Sequence, residues 1–307
     1  MEIIAEICQT HNASIANLKL LEESAHKGGA SYAKIQALYS SDLNYREDFE
    51  NPTQDKFNMY RPFSKEFKRL KMLDLSESEE YLFVEHCKKI GIIPMITVFT
   101  KQGIFRAKQA GFEHIKIASY DSTNTTLIES SLEFAKSLFI STGATTKYEL
   151  ENLVSYLKQN HQNKDISLLH CKTIYPNQLG SVNLNRMLWM KEFGFKIGFS
   201  DHTKTFNEDG SEYVLRNLPS MVAINLGASV LERHFTNLGP DETKDGRISI
   251  NEADLLLLNN FIKLSESEQK TYLNNSHEYL QIILGNQDYD PSVEEWWNRK
   301  YYKGRVI

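Results

Sequence analysis

Short apolar runs alternate with amphipathic stretches along most of the chain. The runs at 3–7, 32–36, 92–98, 114–118, 137–141, 167–170, 196–200 and 229–234 are brief and rich in β-branched residues, which predicts strands. Between them, 15–27, 78–90, 102–110, 125–135, 147–160 and 182–193 repeat their apolar positions about every 3.6 residues, which predicts helices. Gly28, Gly91, Gly111 and Gly194 follow four of these helices, where a glycine can take the left-handed turn that ends one. Strand–helix alternation predicts a parallel sheet, and eight such units predict a closed (β/α)8 TIM barrel in the α/β class. A doubly wound open sheet is the alternative, disfavoured because no GxGxxG follows a strand.

Two stretches break the alternation. Residues 42–73, polar, basic and aromatic, follow the second strand, and residues 204–218 follow the seventh. Both fall at C-terminal strand ends, where barrel enzymes carry their binding loops. The most apolar stretch, 221–231, reads as a buried helix running into a strand. Helices are expected at 251–263 and 267–284, and 285–307 is charged and aromatic without a clear period. The expected organisation is a barrel domain over 1–265 and a C-terminal helical extension with a linker-like tail over 266–307.

The 307 residues carry 35 Lys and Arg against 40 Asp and Glu, a net charge of −5. That balance lacks the basic footprint that drives binding to nucleic acid or an anionic membrane. An apolar share of 41% supports a sizeable core and excludes bulk disorder. No apolar run approaches the roughly 20 residues of a membrane span, and MEIIAEICQTHN lacks the pattern of a signal peptide. Cys8, Cys87 and Cys171 are odd in number and widely spaced, which favours neither a disulfide framework nor a CxxC site and suits a reducing, cytoplasmic location.

Chemistry concentrates at the strand ends. Glu6, Lys34 with Gln36, Thr97, Lys116 with Ser119, Ser141, His170, Ser200 with His202, and Glu232 with His234 all fall there. One such residue alone is an ordinary solvated terminus; a ring of them on one rim is the active face of a barrel. Lys34 and Lys116 supply positive charge and Thr97, Ser119, Ser141 and Ser200 short hydroxyls, a set suited to a small anion carrying phosphate or carboxylate. The competing reading is that both lysines snorkel to water. His202 and His234 end neighbouring strands and are the metal candidates, leaving an octahedral shell open for Mn²⁺ or Mg²⁺. His26, His86, His161 and His277 fall on helices and read as ordinary side chains.

The motifs AEICQTHN (5–12), GGASYAKIQ (28–36), IKIAS (115–119), STG (141–143), LLHCKTIYP (168–176), GFSDHT (198–203) and GASVLERHFT (227–236) occur in the order of the sialic acid synthase family, which the chain resembles. That family condenses phosphoenolpyruvate with an N-acyl amino sugar. The resemblance implies that His202 and His234 hold the divalent metal, and that Lys34, Thr97, Lys116, Ser119, Ser141 and Ser200 hold phosphoenolpyruvate. Thr173 stands where the family often has Asn or Ser, with a hydroxyl still able to donate to phosphate. Glu6 matches an acidic residue near both substrates and is the proton-transfer candidate beside the two histidines; Gln36, Tyr175 and Asp241 match sugar contacts. The departures are Cys8, Thr10 and Ala13, where the family usually has Gly, Asn and Gly, and the Thr-Val-Phe at 97–99.

The family's C-terminal antifreeze-like domain is expected to be absent, NRKYYKGRVI resembling the linker that leads into it. In the family that domain reaches across a dimer to place an Arg near the N-acyl group. A homodimer is therefore expected, with Arg61, Arg69 and Arg216 of the two insertions available at the acceptor pocket. The implied partners are the small molecules phosphoenolpyruvate and an aldose. Two alternatives remain, a Schiff-base pyruvate aldolase using Lys34 or Lys116 and a non-catalytic sugar-binding barrel.

Overall fold

The structure, a computed structural model, describes residues 1–51, 60–286, 291–292, 294–296 and 299. Eight strands close into one barrel in sequence order: β1 Glu2–Cys8, β2 Tyr32–Gln36, β3 Ile93–Val98, β4 His114–Ile117, β5 Ser137–Ser141, β6 Asp165–Cys171, β7 Lys196–Asp201 and β8 Val230–His234. Every neighbouring pair is parallel, and β8 returns to β1 with Glu6 opposite His234. The TIM barrel expected from the alternation is the fold.

Helices α1 Ile15–Lys27, α3 Glu77–Ile90, α4 Lys101–Ala110, α5 Thr125–Leu132, α6 Lys147–Asn160, α7 Asn185–Met190, α8 Leu218–Asn225 and α9 Glu252–Ile262 ring the barrel, with α2 Phe63–Leu73 inside the first insertion. Their starts follow local chemistry. Ser76 with Glu79, Thr146 with Glu149 and Asn251 with Asp254 form reciprocal capping boxes, each satisfying two backbone donors. Gly91, Gly111 and Gly194 end their helices in the left-handed conformation. Gly28 does not: its own φ is −66°, and Gly29 makes the turn at φ +83°. Any side chain at that angle is strained, and a Cβ on Gly29 would also stand 2.8 Å from the Asn259 amide, which would have to shift.

The helix expected over 182–193 is shorter, α7 being flanked by 3₁₀ turns at Leu179–Ser181 and Lys191–Phe193. The stretch 267–284 divides into α10 Glu266–Asn274 and α11 His277–Leu284, separated at Asn275 and Ser276, poor helix formers. Leu273 and Ile283 of this pair join the core between strands and helices. Nearly all of α8 is buried, which is why its sequence carries no polar face.

The main core lies between the strands and the helices. A smaller one fills the barrel itself: Ile4, Tyr32, Met95, Phe139, Leu169 and Val230 form an apolar floor. Whatever projects inward above that floor is what the barrel offers to a ligand.

Candidate active site

Strand periodicity builds the site. Side chains two residues apart share a face, so the interior positions above the floor are Glu6, Lys34, Thr97, Lys116, Ser141, Cys171, Ser200 and Glu232, one from each strand, and the next turn upward brings Gln36, His202 and His234. All of these line one cavity of about 390 Å³, together with Ser119 and Tyr175. The same parity turns His170 outward. Its Nε2 donates to the Val182 carbonyl at 2.8 Å, and its ring stacks on Phe199, so it anchors a loop and does not reach the cavity.

Within the cavity, charge is interleaved. Lys34 Nζ is in close contact with Glu6 Oε2 and donates to Thr97 Oγ1 at 2.8 Å. Gln36 Nε2 donates to the same Glu6 oxygen at 3.0 Å. Lys116 Nζ and the Ser200 hydroxyl both donate to Glu232 Oε1, at 3.3 and 2.6 Å. Burial pushes Glu232 up, but the Lys116 and Lys34 ammonium groups outweigh it and hold the carboxyl well below its usual range. Ser119 Oγ accepts from the Gly143 N–H at 3.1 Å and lies 2.9 Å from Cys171 Sγ. Ser141 Oγ is buried with no hydrogen-bond partner among the described residues, whereas Glu232 Oε2 is ion-paired with Lys34 Nζ at 3.6 Å. An unsatisfied hydroxyl in a buried site is costly, and this one lines the space a ligand would fill.

The two histidines stand together, ring centroids 5.4 Å apart, with Tyr175 tilted over His202 at 4.5 Å. His202 Nδ1 lies 2.8 Å from the Lys172 carbonyl oxygen. A carbonyl only accepts, so Nδ1 carries the proton and Nε2 keeps its lone pair. His234 Nδ1 is buried without a hydrogen-bond partner among the described residues, 3.8 Å from Asp245 Oδ2. Burial holds both rings neutral, His234 at about 3. Neutral imidazoles with unclaimed nitrogens fit a divalent metal. A second group, Cys8, His234 and Asp245, brings one ligand atom from each residue within 4.8 Å of the others.

Above this cavity lies a wider one of about 950 Å³, walled by Gln36, Tyr175 and His234 below and by Arg61, Arg69, Lys244, Asp245 and Glu294 around it. Of the three insertion arginines, Arg61 and Arg69 reach it. Arg216 does not, being drawn to Asp254 at 3.0 Å and Glu212 at 2.8 Å. Asp241 needs the same correction: its exposed carboxylate forms a double hydrogen bond with Arg247, at 2.8 and 3.0 Å, outside both cavities. Asp245, four residues on, faces inward in its place. Thr173 is also outside the lining. The chain leaves β6 after Cys171, and the Thr173 N–H donates to Glu295 at 3.3 Å, beside a buried Lys172–Glu295 ion pair at 2.7 Å.

Cys8 and Asp245 are the site residues that strand-end reasoning missed. A β-bulge between Glu6 and Cys8 turns Cys8 inward, and Asp245 arrives on a loop beyond the strands. The usable clue was Cys8 standing where the family usually has Gly.

A NeuB family model matches residues 21–271. The chain is 30% identical to the N,N'-diacetyllegionaminic acid synthase of Legionella pneumophila over 282 residues, covering 87% of this chain and 76% of that one. It is 30% identical to the pseudaminic acid synthase of Helicobacter pylori over 258 residues, covering 81% and 69%. In fold it matches the crystal structure of the N-acetylneuraminic acid synthetase of Leptospira borgpetersenii, in complex with citrate, with a TM-score of 0.70 at 24% identity, covering 97% of this chain and 90% of that one.

Proposed function

This chain belongs to the NeuB family, and on that premise we propose that it condenses phosphoenolpyruvate with an amino sugar or related aldose, giving a sialic-acid-like 2-keto-3-deoxy sugar acid and phosphate. The observation that supports this most is the interior ring of Lys34, Lys116, Thr97, Ser141 and Ser200 beside two neutral histidines. A trianion needs positive charge and directed donors in a water-poor site, and that ring offers both.

In the reaction, C3 of phosphoenolpyruvate attacks the aldehyde carbon of the open-chain sugar. Water adds at C2, and phosphate leaves as the ketone forms. Lys34 and Lys116 balance the charge of the anion and, with the hydroxyls, hold C3 against the acceptor, a contribution of positioning as much as electrostatics. Glu6 Oε2, in contact with Lys34 and Gln36, is the place where a proton is held or moved. His202 and His234 would hold the divalent metal, Mn²⁺ or Mg²⁺ if two imidazoles were its only protein ligands, and a bound metal supplies Lewis-acid polarisation of the aldehyde oxygen. Gln36, Tyr175, Arg61 and Arg69 border the space left for the sugar.

Among the described residues no helix is long and apolar enough to cross a membrane. The resemblance adds a homodimer in the cytoplasm, which light scattering and fractionation test. The function is tested by supplying phosphoenolpyruvate, metal and a panel of aldoses, and scoring phosphate release with product mass. Borohydride trapping with pyruvate checks the aldolase alternative, which needs a neutral, accessible lysine: burial lowers Lys34 to about 7, but its Nζ is engaged by Glu6 and Thr97, and Lys116 Nζ is paired with Glu232 at 3.3 Å. No phosphate release with any acceptor, with phosphoenolpyruvate unbound, would leave the non-catalytic reading standing.

A further inference from the structure

We propose that the metal of this site is held by Cys8, His234 and Asp245, a donor set containing one thiolate, so that the protein selects a borderline ion such as Zn²⁺, Co²⁺ or Fe²⁺ over Mn²⁺ or Mg²⁺. The proposal rests on the reading of a metal at His234 given above and changes its ligands and its ion.

Three observations carry it. Among the described residues, these three form the one group of His, Cys, Asp and Glu side chains whose ligand atoms lie within 4.8 Å of one another. His234 is only 7% exposed, and its Nδ1, aimed at this group, has no hydrogen-bond partner among the described residues. An imidazole nitrogen left idle in a polar interior asks for a ligand. Cys8, finally, is held in a conformation that costs free energy. Its φ is +49°, where a side chain is crowded and glycine is not. The bulge after Glu6 imposes that angle, and Glu6 Oε1 secures it by accepting the Cys8 N–H at 2.7 Å. Strain of this kind clusters at functional sites, and here it falls on a residue that lines the outer cavity.

The ion class follows from the donors. Cys8 Sγ lies within 4.8 Å of both an Asp245 carboxylate oxygen and a His234 ring nitrogen. On binding, a sulfur–metal bond replaces the S–H bond, the proton passes to solvent, and the oxidation state of the metal is unchanged. Thiolate prefers softer ions, while oxygen-rich shells suit Mn²⁺ and Mg²⁺. His202 stands beside the group with its Nε2 lone pair unclaimed and is not required to complete the triad.

The test uses the full chain, stripped by chelator and titrated with Co²⁺. Thiolate ligation reads as a near-ultraviolet sulfur-to-cobalt charge-transfer band, and we expect that band to saturate at one equivalent. Cys8→Ser and Cys8→Gly should both abolish it, with Cys87 and Cys171 intact as internal controls. Co²⁺ affinity should drop by more than the roughly 10–100-fold that loss of a supporting partner costs. Glycine suits the backbone angle at this position, so Cys8→Gly guards against a loss that merely reports misfolding. Asp245→Asn should weaken binding and keep the band, and His202→Ala should keep it as well. A wild-type protein that binds Co²⁺ without the band, or a Cys8→Gly protein that binds it equally well, overturns the thiolate ligand and leaves the two-histidine site standing. Failure of the wild type to bind any of these ions overturns both.

Discussion

Replacing Asp201 with Asn should destabilise the protein far more than replacing its partner, Arg233, with Met. The two form an ion pair at 2.5 Å, with both side chains completely buried. Their surroundings are unequal. Asp201 Oδ1 accepts from the Thr203 N–H at 2.8 Å and the Thr203 hydroxyl at 2.5 Å, and Oδ2 accepts from the Ser220 hydroxyl at 2.6 Å. Three donors therefore remain around the carboxylate when the arginine is removed. Among the described residues, Arg233 has only the Arg216 carbonyl besides, at 3.3 Å from Nη1, while its Nε and Nη2 have no hydrogen-bond partner there. Neutralising Asp201 strands a buried guanidinium, which costs about 3–5 kcal/mol. Arg233→Met loses the same pair but also removes two unsatisfied donors, each carrying a penalty of about 1–3 kcal/mol, so its net cost should be roughly 0–2 kcal/mol. Urea unfolding at neutral pH measures both, and a double-mutant cycle with Asp201→Leu and Arg233→Met isolates the coupling. Equal losses, or a larger loss for Arg233→Met, would refute this account of the pair.

Lys116→Ala should weaken phosphoenolpyruvate binding by about 1.5–3 kcal/mol, the worth of a charged donor, with a much smaller change in the sugar requirement, as calorimetry and steady-state kinetics can separate. Arg69→Ala should do the reverse, raising KM for the acceptor and sparing phosphoenolpyruvate affinity, since Arg69 borders only the outer cavity. Glu22 is buried between α1 and α3, 2.6 Å from His86, and burial raises its carboxyl to about 8. The folded state thus holds this proton more tightly than the unfolded one, so stability falls as pH rises from about 4.5 to 8. Glu22→Gln should remove that slope and raise stability at pH 8.5 by roughly 2–4 kcal/mol with little effect near pH 5, read by thermal unfolding across pH.

The barrel was legible because strand alternation and helical spacing are local signals. Inward parity places Lys34, Thr97, Lys116 and Glu232 above the apolar floor, and no long-range information is needed to see it. What failed to show were places where a specific side-chain pairing decides. Asp241 and Asp245 sit on one loop with the same side chain, and Arg247, six residues beyond Asp241, claims one and leaves the other to the cavity. Arg216 looked as available as Arg69 until Asp254, 38 residues away, captured it. The break after Asn274 is a subtler case, since an apolar spacing continues through a chain that turns.

Glu6 on β1 lies opposite His234 on β8 across the closing pair of strands, so the working parts of the site meet at the seam of the barrel. On the ribosome β1 emerges first and β8 last of the eight strands. The carboxylate and the bulge bearing Cys8 must therefore wait through the synthesis of every other strand before a histidine reaches them. Nascent or partly assembled barrels lack the paired site, which should deny metal a premature hold on an open chain. A circular permutant with its break on the opposite wall would reverse that order, letting β8 and β1 leave the ribosome as neighbours and form the site before the barrel shuts.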